Sequence, residues 1–433
     1  MALLVLFLFC ILLVGTLLTG HSLLWALGAG YCLFAGYCLS CRLSPGRVFR
    51  ASLEGIRTVL PILTTFVCIG MLTASWRASG TIAYLVDCSL QLMTPALFLP
   101  CAFLANCGLS YLLGSSFATA ATMGVISMSV GMALNQPPLL TGGAILSGIY
   151  FGDRCSPMST SALLVSTVTK TNIYANCRTM WATGWPALLA SVAAYATGAL
   201  VLHAEGTIPD TGALFAREYT LNVLTALPAL LILVLALCKI HVRTAMLVST
   251  LCALGLCLLL QGTNPADIPG LLLCGYTARD PEVGRLFDGG GISSMLTVAG
   301  IVCISSTYAG LFQASDLLHD LKAFLHKRAG RPGSFTGFAL AGLVTSAIAC
   351  NQTLAVLLTW QVTKDLEPDP ARLASNLEDS VILLSALVPW SIACVIPLSM
   401  LQAPHSAVLA ACYLWLVPLS RLILPAPVLT RRS

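Results

Sequence analysis

The chain has 433 residues, of which 57% are hydrophobic and only 9% charged, and its mean hydropathy is +0.89. A soluble chain carries about 25% charged residues, so this composition excludes a soluble domain and leaves an all-α polytopic membrane protein. The net charge of +5 is small, and the placement of the basic residues says more than their sum.

Soluble-type chemistry is missing. The 18 cysteines show no metal spacing, and Cys38 and Cys41 form a C-x-x-C only at the end of an apolar run, where cysteine serves as a small membrane hydrophobe. The histidines form no H-x-x-x-H pair, no Gly-rich phosphate loop follows a strand, and neither His-Glu-x-x-His nor Gly-x-Ser-x-Gly occurs. The expectation is a membrane transporter and not an enzyme, with no cofactor and no nucleic-acid partner.

The length leaves room for about ten to twelve spans of roughly 20 residues. Met1 to Gly20 lacks a basic start and reads as the first span, not a cleaved signal. Apolar runs follow at 22–41 and 58–76. A run at 95–134 breaks near Gly114-Ser115-Ser116, and a run at 139–169 breaks at Gly152-Asp153-Arg154-Cys155-Ser156-Pro157. A run at 179–202 closes the first half, 1–205, and a polar linker covers 206–218. The second half, 219–433, has runs at 219–238 and 244–260, then a partly polar interfacial stretch at 266–290. Next come 291–313, a run at 334–363 broken at Cys350-Asn351-Gln352, a run at 374–402 broken at Pro389-Trp390-Ser391, and a last span at 405–424.

The halves align by feature at an offset of roughly 235 residues, and paired interrupted segments point to a transporter site between repeats. With a cytoplasmic N-terminus and with 95–134 and 334–363 taken as re-entrant hairpins, only Arg77, Arg217, Arg279 and Arg285 of the 22 lysines and arginines fall outside, and Arg154 sits in the membrane. Each half then has an odd number of crossings, so the second is inverted. The predicted fold is an inverted-repeat secondary transporter with about ten spans, two re-entrant hairpins and two broken helices. Two full spans in place of each hairpin would give the same sidedness. The expected location is a bacterial inner (plasma) membrane, multi-pass, with both termini cytoplasmic. Trp25, Trp76, Trp181, Trp185 and Trp415 read as interfacial belts, and the tail from Arg421 as a cytoplasmic anchor.

The polar breaks carry the chemistry. Pro157 has no N–H and interrupts the helix, and broken backbone at membrane depth survives only where it is buried in protein or lines a wet cavity. The freed carbonyls, with serine and threonine hydroxyls, suit a hard cation such as Na⁺, and Asp153, Ser156 and Thr160 form a candidate Na⁺ site. Ser115, Ser116 and Thr119 read as a ligand-bearing hairpin tip or as a tight helix-packing face. Asn351, Gln352 and Thr353 are their partners in the other half. Asp153 and Arg154 each cost about 2.5–3.5 kcal/mol at a bilayer centre. Either they serve function or they form a salt bridge, mutual or to Glu378 or Asp379; a free Arg154 would hold a carboxylate. Glu378 reads as a solvated helix start capped by Ser375 or Asn376, or with Asp379 as part of the site, beside Trp390 and Ser391.

At these motifs the chain resembles the NhaC-type sodium/proton antiporters of the ion transporter superfamily. GSSFATAATMGVISMSVG is similar to the family's small-residue motif, SGIYFGDRCSPMS to its Gly-Asp-x-x-Ser-Pro-x-Ser motif, and SNLEDSVILLSALVPW to its Leu-Glu-Asp-Ser…Pro-Trp motif. The resemblance covers most of the chain and implies exchange of Na⁺ or Li⁺ for H⁺ by alternating access. Some relatives exchange small carboxylates, so a Na⁺- or H⁺-coupled transporter of carboxylates or amino acids is the alternative. It implies that Asp153, Ser156, Pro157 and Ser159 line the site from the first half, and Glu378, Asp379, Pro389 and Trp390 from the second. A homodimer is in keeping with such relatives. The family motif continues with an aspartate where this chain has Thr160. Asp153 or Asp379 then takes the titrating role, or no proton is exchanged at this site.

Overall fold

In the computed structural model the described residues are 2–19, 23–92, 95–202, 211–238, 240–315 and 334–423. The expectations for residues 206–210, for most of the polar segment 314–325 and for the tail beyond 423 lie outside them. Helices dominate, and among the described residues there is no strand, only the isolated bridge between Tyr276 and Gly289. The chain is an all-α polytopic membrane protein.

The first half runs α1 (Ala2–Thr19), α2 (Leu23–Ser40), α3 (Pro45–Ala78), α4 (Thr81–Leu92), α5 (Pro95–Leu113), α6 (Ser116–Ala133, with a π-helical turn at Ala120–Gly124), α7 (Pro138–Cys155), α8 (Thr160–Thr169) and α9 (Ile173–Leu202). The stretch taken as the linker holds α10 (Thr211–Glu218), and the second half runs α11 (Leu227–Leu237), α12 (Val242–Leu259), α13 (Ile268–Cys274), α14 (Pro281–Phe287), and, after the short turn Gly291–Ser294, α15 (Leu296–Ala314). It continues with α16 (Phe335–Ala349), α17 (Gln352–Thr363), α18 (Pro370–Asp379), α19 (Val381–Leu387), α20 (Ile392–Leu401) and α21 (Cys412–Ile423).

Among the described residues five helices are long and apolar enough to cross a membrane, and the bent pair 370–387 and 392–401, at 55°, makes a sixth if it is one span. The longest is α3, whose 34 residues extend about 51 Å, well beyond a hydrocarbon core of about 30 Å. Ser44 caps it and Pro45 fills its first position, where a missing N–H costs nothing. It packs along α15 through glycine contacts: a Cβ on Gly55 would lie 2.2 Å from the Ser306 carbonyl, and one on Gly310 2.0 Å from that of Ala51. Such close backbone approach is how membrane helices gain van der Waals contact when lipid removes the hydrophobic drive between them. Phe9, Phe34, Tyr308 and Phe312 stack edge to face and tie α1 and α2 to the same helix.

Large apolar side chains such as Phe7, Ile11, Leu200, Val201, Leu251 and Leu259 stand exposed, as a lipid-facing surface requires. Trp25, Trp181, Trp185 and Trp415 share that surface. Trp76 does not: it is buried, and its indole N–H donates to Ser249 Oγ at 2.9 Å, pinning α3 to α12. Arg77, also buried, donates to the Phe287 carbonyl (3.2 Å) and to Gln402 Oε1 (2.9 Å).

The two helix pairs read as hairpins differ in reach. The segments 96–113 and 116–133 have 18 residues each, about 27 Å, while α16 and α17 have 15 and 12, about 22 and 18 Å.

Candidate functional site

The first break separates α7 from α8. Ser156 leaves the helix in an extended conformation, and Ser159 starts the next one by accepting from the amides of Ser161 (3.1 Å) and Ala162 (3.3 Å). That satisfies two of the N–H groups a new helix start leaves orphaned. The second break repeats the device: Ser391 caps α20 and accepts from the Ala393 amide at 3.3 Å. Both half-helices, α8 and α20, have 10 residues, and both end on a left-handed residue, Lys170 and Gln402.

Each helix-pair tip lies on the break of its own half. Gly114 has φ +63, and a Cβ there would sit 2.4 Å from the Met158 carbonyl carbon, so the first tip admits no side chain at that point. Ser115 then caps α6. In the second half Cys350 takes φ +54, Asn351 caps α17 through its bond from the Thr353 amide (2.9 Å), and the Ile392 amide donates to the Cys350 carbonyl at 2.8 Å. Trp390 reinforces this contact by donating to the Ala347 carbonyl at 2.8 Å. Thr119 turns back to its own helix, donating to the Ser115 carbonyl at 2.8 Å, and Thr353 is exposed.

The two halves meet at Asp153, which is 3% exposed. Its Oδ2 accepts from Ser161 Oγ at 3.1 Å and from Gln352 Nε2 of the second tip at 3.2 Å. Ser159 Oγ lies 3.4 Å from Oδ1 and also donates to the Asp153 main-chain carbonyl. Ser161 was not singled out by the sequence reading. Its signal is a hydroxyl in the first turn of the helix restarting after Ser-Pro-x-Ser, beside the cap residue. Thr160, placed beside Asp153 and Ser156 in the candidate Na⁺ site, is instead exposed, and Ser156 Oγ accepts from the Met158 amide at 3.1 Å.

A second buried cluster surrounds Asp379. Its Oδ1 accepts from Arg154 Nε at 3.1 Å and from Thr183 Oγ1 at 3.2 Å, and Arg154 Nη2 closes an ion pair on the same oxygen. Its Oδ2 accepts from Arg421 Nε at 2.6 Å. Arg154 spends its remaining donors on Tyr413 OH (2.8 Å), Thr183 Oγ1 (2.6 Å) and Cys155 Sγ (3.4 Å), and Arg421 donates to Asn376 Oδ1 at 2.8 Å. Of the salt-bridge partners open to Arg154, the structure selects Asp379. Arg421, counted with the cytoplasmic tail, belongs to this buried knot. Helix α18 begins earlier than the Ser375 or Asn376 cap proposed for it: Asp369 caps it, with Pro370 in the first turn. Glu378 is therefore no solvated helix start. It is fully buried, and neither of its carboxyl oxygens has a hydrogen-bond partner.

Among the described residues no three His, Cys, Asp or Glu side chains group as for a resident metal. Around Asp153 the donor set is one carboxylate, hydroxyls, an amide and main-chain carbonyls, which matches a weakly held hard cation.

The model of the Na⁺/H⁺ antiporter family matches residues 148–425, a stretch that contains both breaks and both buried clusters. The arginine/ornithine antiporter ArcD of Halobacterium salinarum is 29% identical over 352 residues, covering 78% of this chain and 72% of the relative. The malate-2H⁺/Na⁺-lactate antiporter of Bacillus subtilis is 26% identical, covering 79% and 75%. The Na⁺/H⁺ antiporter NhaC of Alkalihalophilus pseudofirmus is also 26% identical, covering 79% and 76%.

Proposed function

The chain belongs to the Na⁺/H⁺ antiporter family, and on that premise we propose that it exchanges Na⁺ (or Li⁺) for H⁺ at a site centred on Asp153. As a family member it is an integral membrane antiporter and not an enzyme. The observation that carries the proposal is the meeting of both halves on one buried carboxylate, through Ser161 on one side and Gln352 on the other. A cation that displaces these donors exchanges its water for the carboxylate, the hydroxyls and the carbonyls of the α7–α8 break. The matching caps of α8 and α20 support reading residues 1–205 and 219–433 as inverted repeats that rock about this point. The distribution of lysine and arginine supports cytoplasmic termini, and relatives from Bacillus subtilis and Alkalihalophilus pseudofirmus support a bacterial inner membrane.

A second reading, exchange of cationic amino acids, is favoured over exchange of carboxylates by one observation. Arg154 is consumed by Asp379, Tyr413 and Thr183 and has no donor to offer a carboxylate solute. Asp153 and Glu378 remain for a positive charge, and a relative at 29% identity carries the name arginine/ornithine antiporter.

The test is made in proteoliposomes holding a trapped pH dye and an imposed proton gradient. Na⁺ or Li⁺, but not K⁺ or choline, should collapse the gradient, and Asp153→Asn should abolish the response in protein that still elutes as a folded species. Labelled arginine or ornithine exchanged without gradient collapse would replace the first reading by the second. Full activity in Asp153→Asn would remove this site from both.

A further inference from the structure

We propose that Glu378 carries the exchanged proton, in the place that the missing acid at position 160 leaves open. This inference rests on the reading of Asp153 as the cation site.

The two acids differ in what surrounds them. Asp153 receives hydrogen bonds from Ser161 and Gln352, donors that favour the charged form of a carboxyl group. Glu378 receives none, although it is fully buried and lies one residue from the arginine-rich knot. Both arginines of that knot point at Asp379, each at a different oxygen. A bare carboxylate without a donor is among the costliest groups to bury, and the neutral acid costs far less. The orphaned side chain is therefore the acid, in an arrangement from which one proton can depart.

Its surroundings supply the coupling. The charged and titratable groups within electrostatic reach of Glu378 are Asp153, Arg154 and Cys155 on α7, Cys177 on α9 and Asp379 on its own helix. Arg421 and Tyr413 stand on α21, each bonded within the knot. The remaining elements packed on α18, namely α8, α16, α17 and α19, contribute no titratable side chain. Arg154 and Asp379 hold each other, so the charge that changes near Glu378 during the cycle is the one at Asp153. A cation bound there offsets the negative charge of Asp153, which otherwise opposes ionisation of Glu378. The Glu378 O–H bond then breaks, the proton leaves to water, and the resulting carboxylate holds the cation more firmly. Departure of the cation reverses the step. By linkage, protonation of Glu378 weakens cation binding by the same factor that the cation favours proton loss.

The experiment uses the purified full chain in weakly buffered detergent solution with a pH indicator, alongside binding of radiolabelled Na⁺ as the pH is lowered. Wild-type protein should release protons when Na⁺ is added and should lose Na⁺ at low pH. Glu378→Gln should bind Na⁺ with no proton release and with little dependence on pH, and in proteoliposomes should retain Na⁺/Na⁺ exchange while losing collapse of the proton gradient. Glu378→Asp keeps a carboxyl group and should move the midpoint of the pH profile without abolishing it, which covers the case in which the glutamine variant does not fold. Proton release by Glu378→Gln equal to wild type, or an unmoved midpoint in Glu378→Asp, overturns the proposal and leaves the Asp153 reading standing. Wild-type protein that neither binds Na⁺ nor releases protons with it would overturn the Asp153 reading, and this one with it.

Discussion

Two buried carboxylates from opposite halves of this molecule, Asp153 and Asp379, sit in contrasting company. Asp379 is held by two guanidinium groups and by the hydroxyls of Thr183 and Ser375, and both guanidinium groups are anchored in turn, on Tyr413 and on Asn376. Asp153 is held by neutral donors alone, at 3.1 and 3.2 Å, and one of them, Ser161, also lies 3.4 Å from Gln352 Oε1. Neutral hydroxyls and amides can be displaced by a cation that brings its own charge; two fixed guanidinium groups cannot. The comparison teaches that a buried carboxyl group in a membrane points to function where its partners are exchangeable or absent. Full pairing marks a tie between segments, and here α7, α9, α18 and α21 are joined through one carboxylate.

The largest expected effect tests this division. Asp379→Asn leaves Arg154 and Arg421 buried without a counter-charge, and breaking a buried pair by removing one partner costs about 3–5 kcal/mol. We expect a lowered midpoint in thermal unfolding followed by size-exclusion fluorescence, or loss of folded protein. Asp153→Asn should change that midpoint little while abolishing transport. The reverse pattern would exchange the roles of the two carboxylates.

A smaller effect probes the contact between halves. Gln352→Ala removes the donor that the second tip extends to Asp153 and to the Ile382 carbonyl at 3.2 Å. The displaced amide can turn its Oε1 to the cation, so the loss of this ligand should weaken Na⁺ binding by about tenfold, the equivalent of ~1.4 kcal/mol. An unchanged affinity would mean that the cation does not need the second half, against an alternating-access site between repeats.

Both breaks were legible in the sequence because proline, glycine and hydroxyl residues have no reason to interrupt an apolar run unless the backbone turns there. The environment of Glu378 was not legible. A carboxylate at the mouth of a span reads alike whether water or protein lies beyond it, and only the earlier start of α18, capped by Asp369, carries Glu378 and Asp379 into the interior. Arg421 was misplaced for a similar reason. Basic residues near a terminus usually lie in water, and nothing local showed that this one turns inward to Asp379. Trp76 was assigned to the interface from its depth along α3, but partner helices decide burial, and α12 covers it. Asn106, a lone amide in the apolar run at 95–134, is buried in the bundle and donates to Ser127 Oγ at 3.0 Å.

The smallest effect separates two adjacent hydroxyls. Ser161 donates to Asp153, while Thr160, where the resemblance implies an aspartate in the family, is exposed in this chain. The first turn of α8 places consecutive side chains about 100° apart, so one hydroxyl faces the carboxylate and its neighbour does not. Once displaced, that hydroxyl can turn its oxygen to the cation, so Ser161→Ala removes one ligand and should weaken Na⁺ binding by about tenfold. Thr160→Ala should change it by no more than about twofold, in the range of exposed substitutions. Measuring both by radiolabelled Na⁺ binding separates the geometry from the motif. An alanine at 160 that proves as costly as one at 161 would restore the family position to the site and weaken the case for Glu378 as the proton carrier.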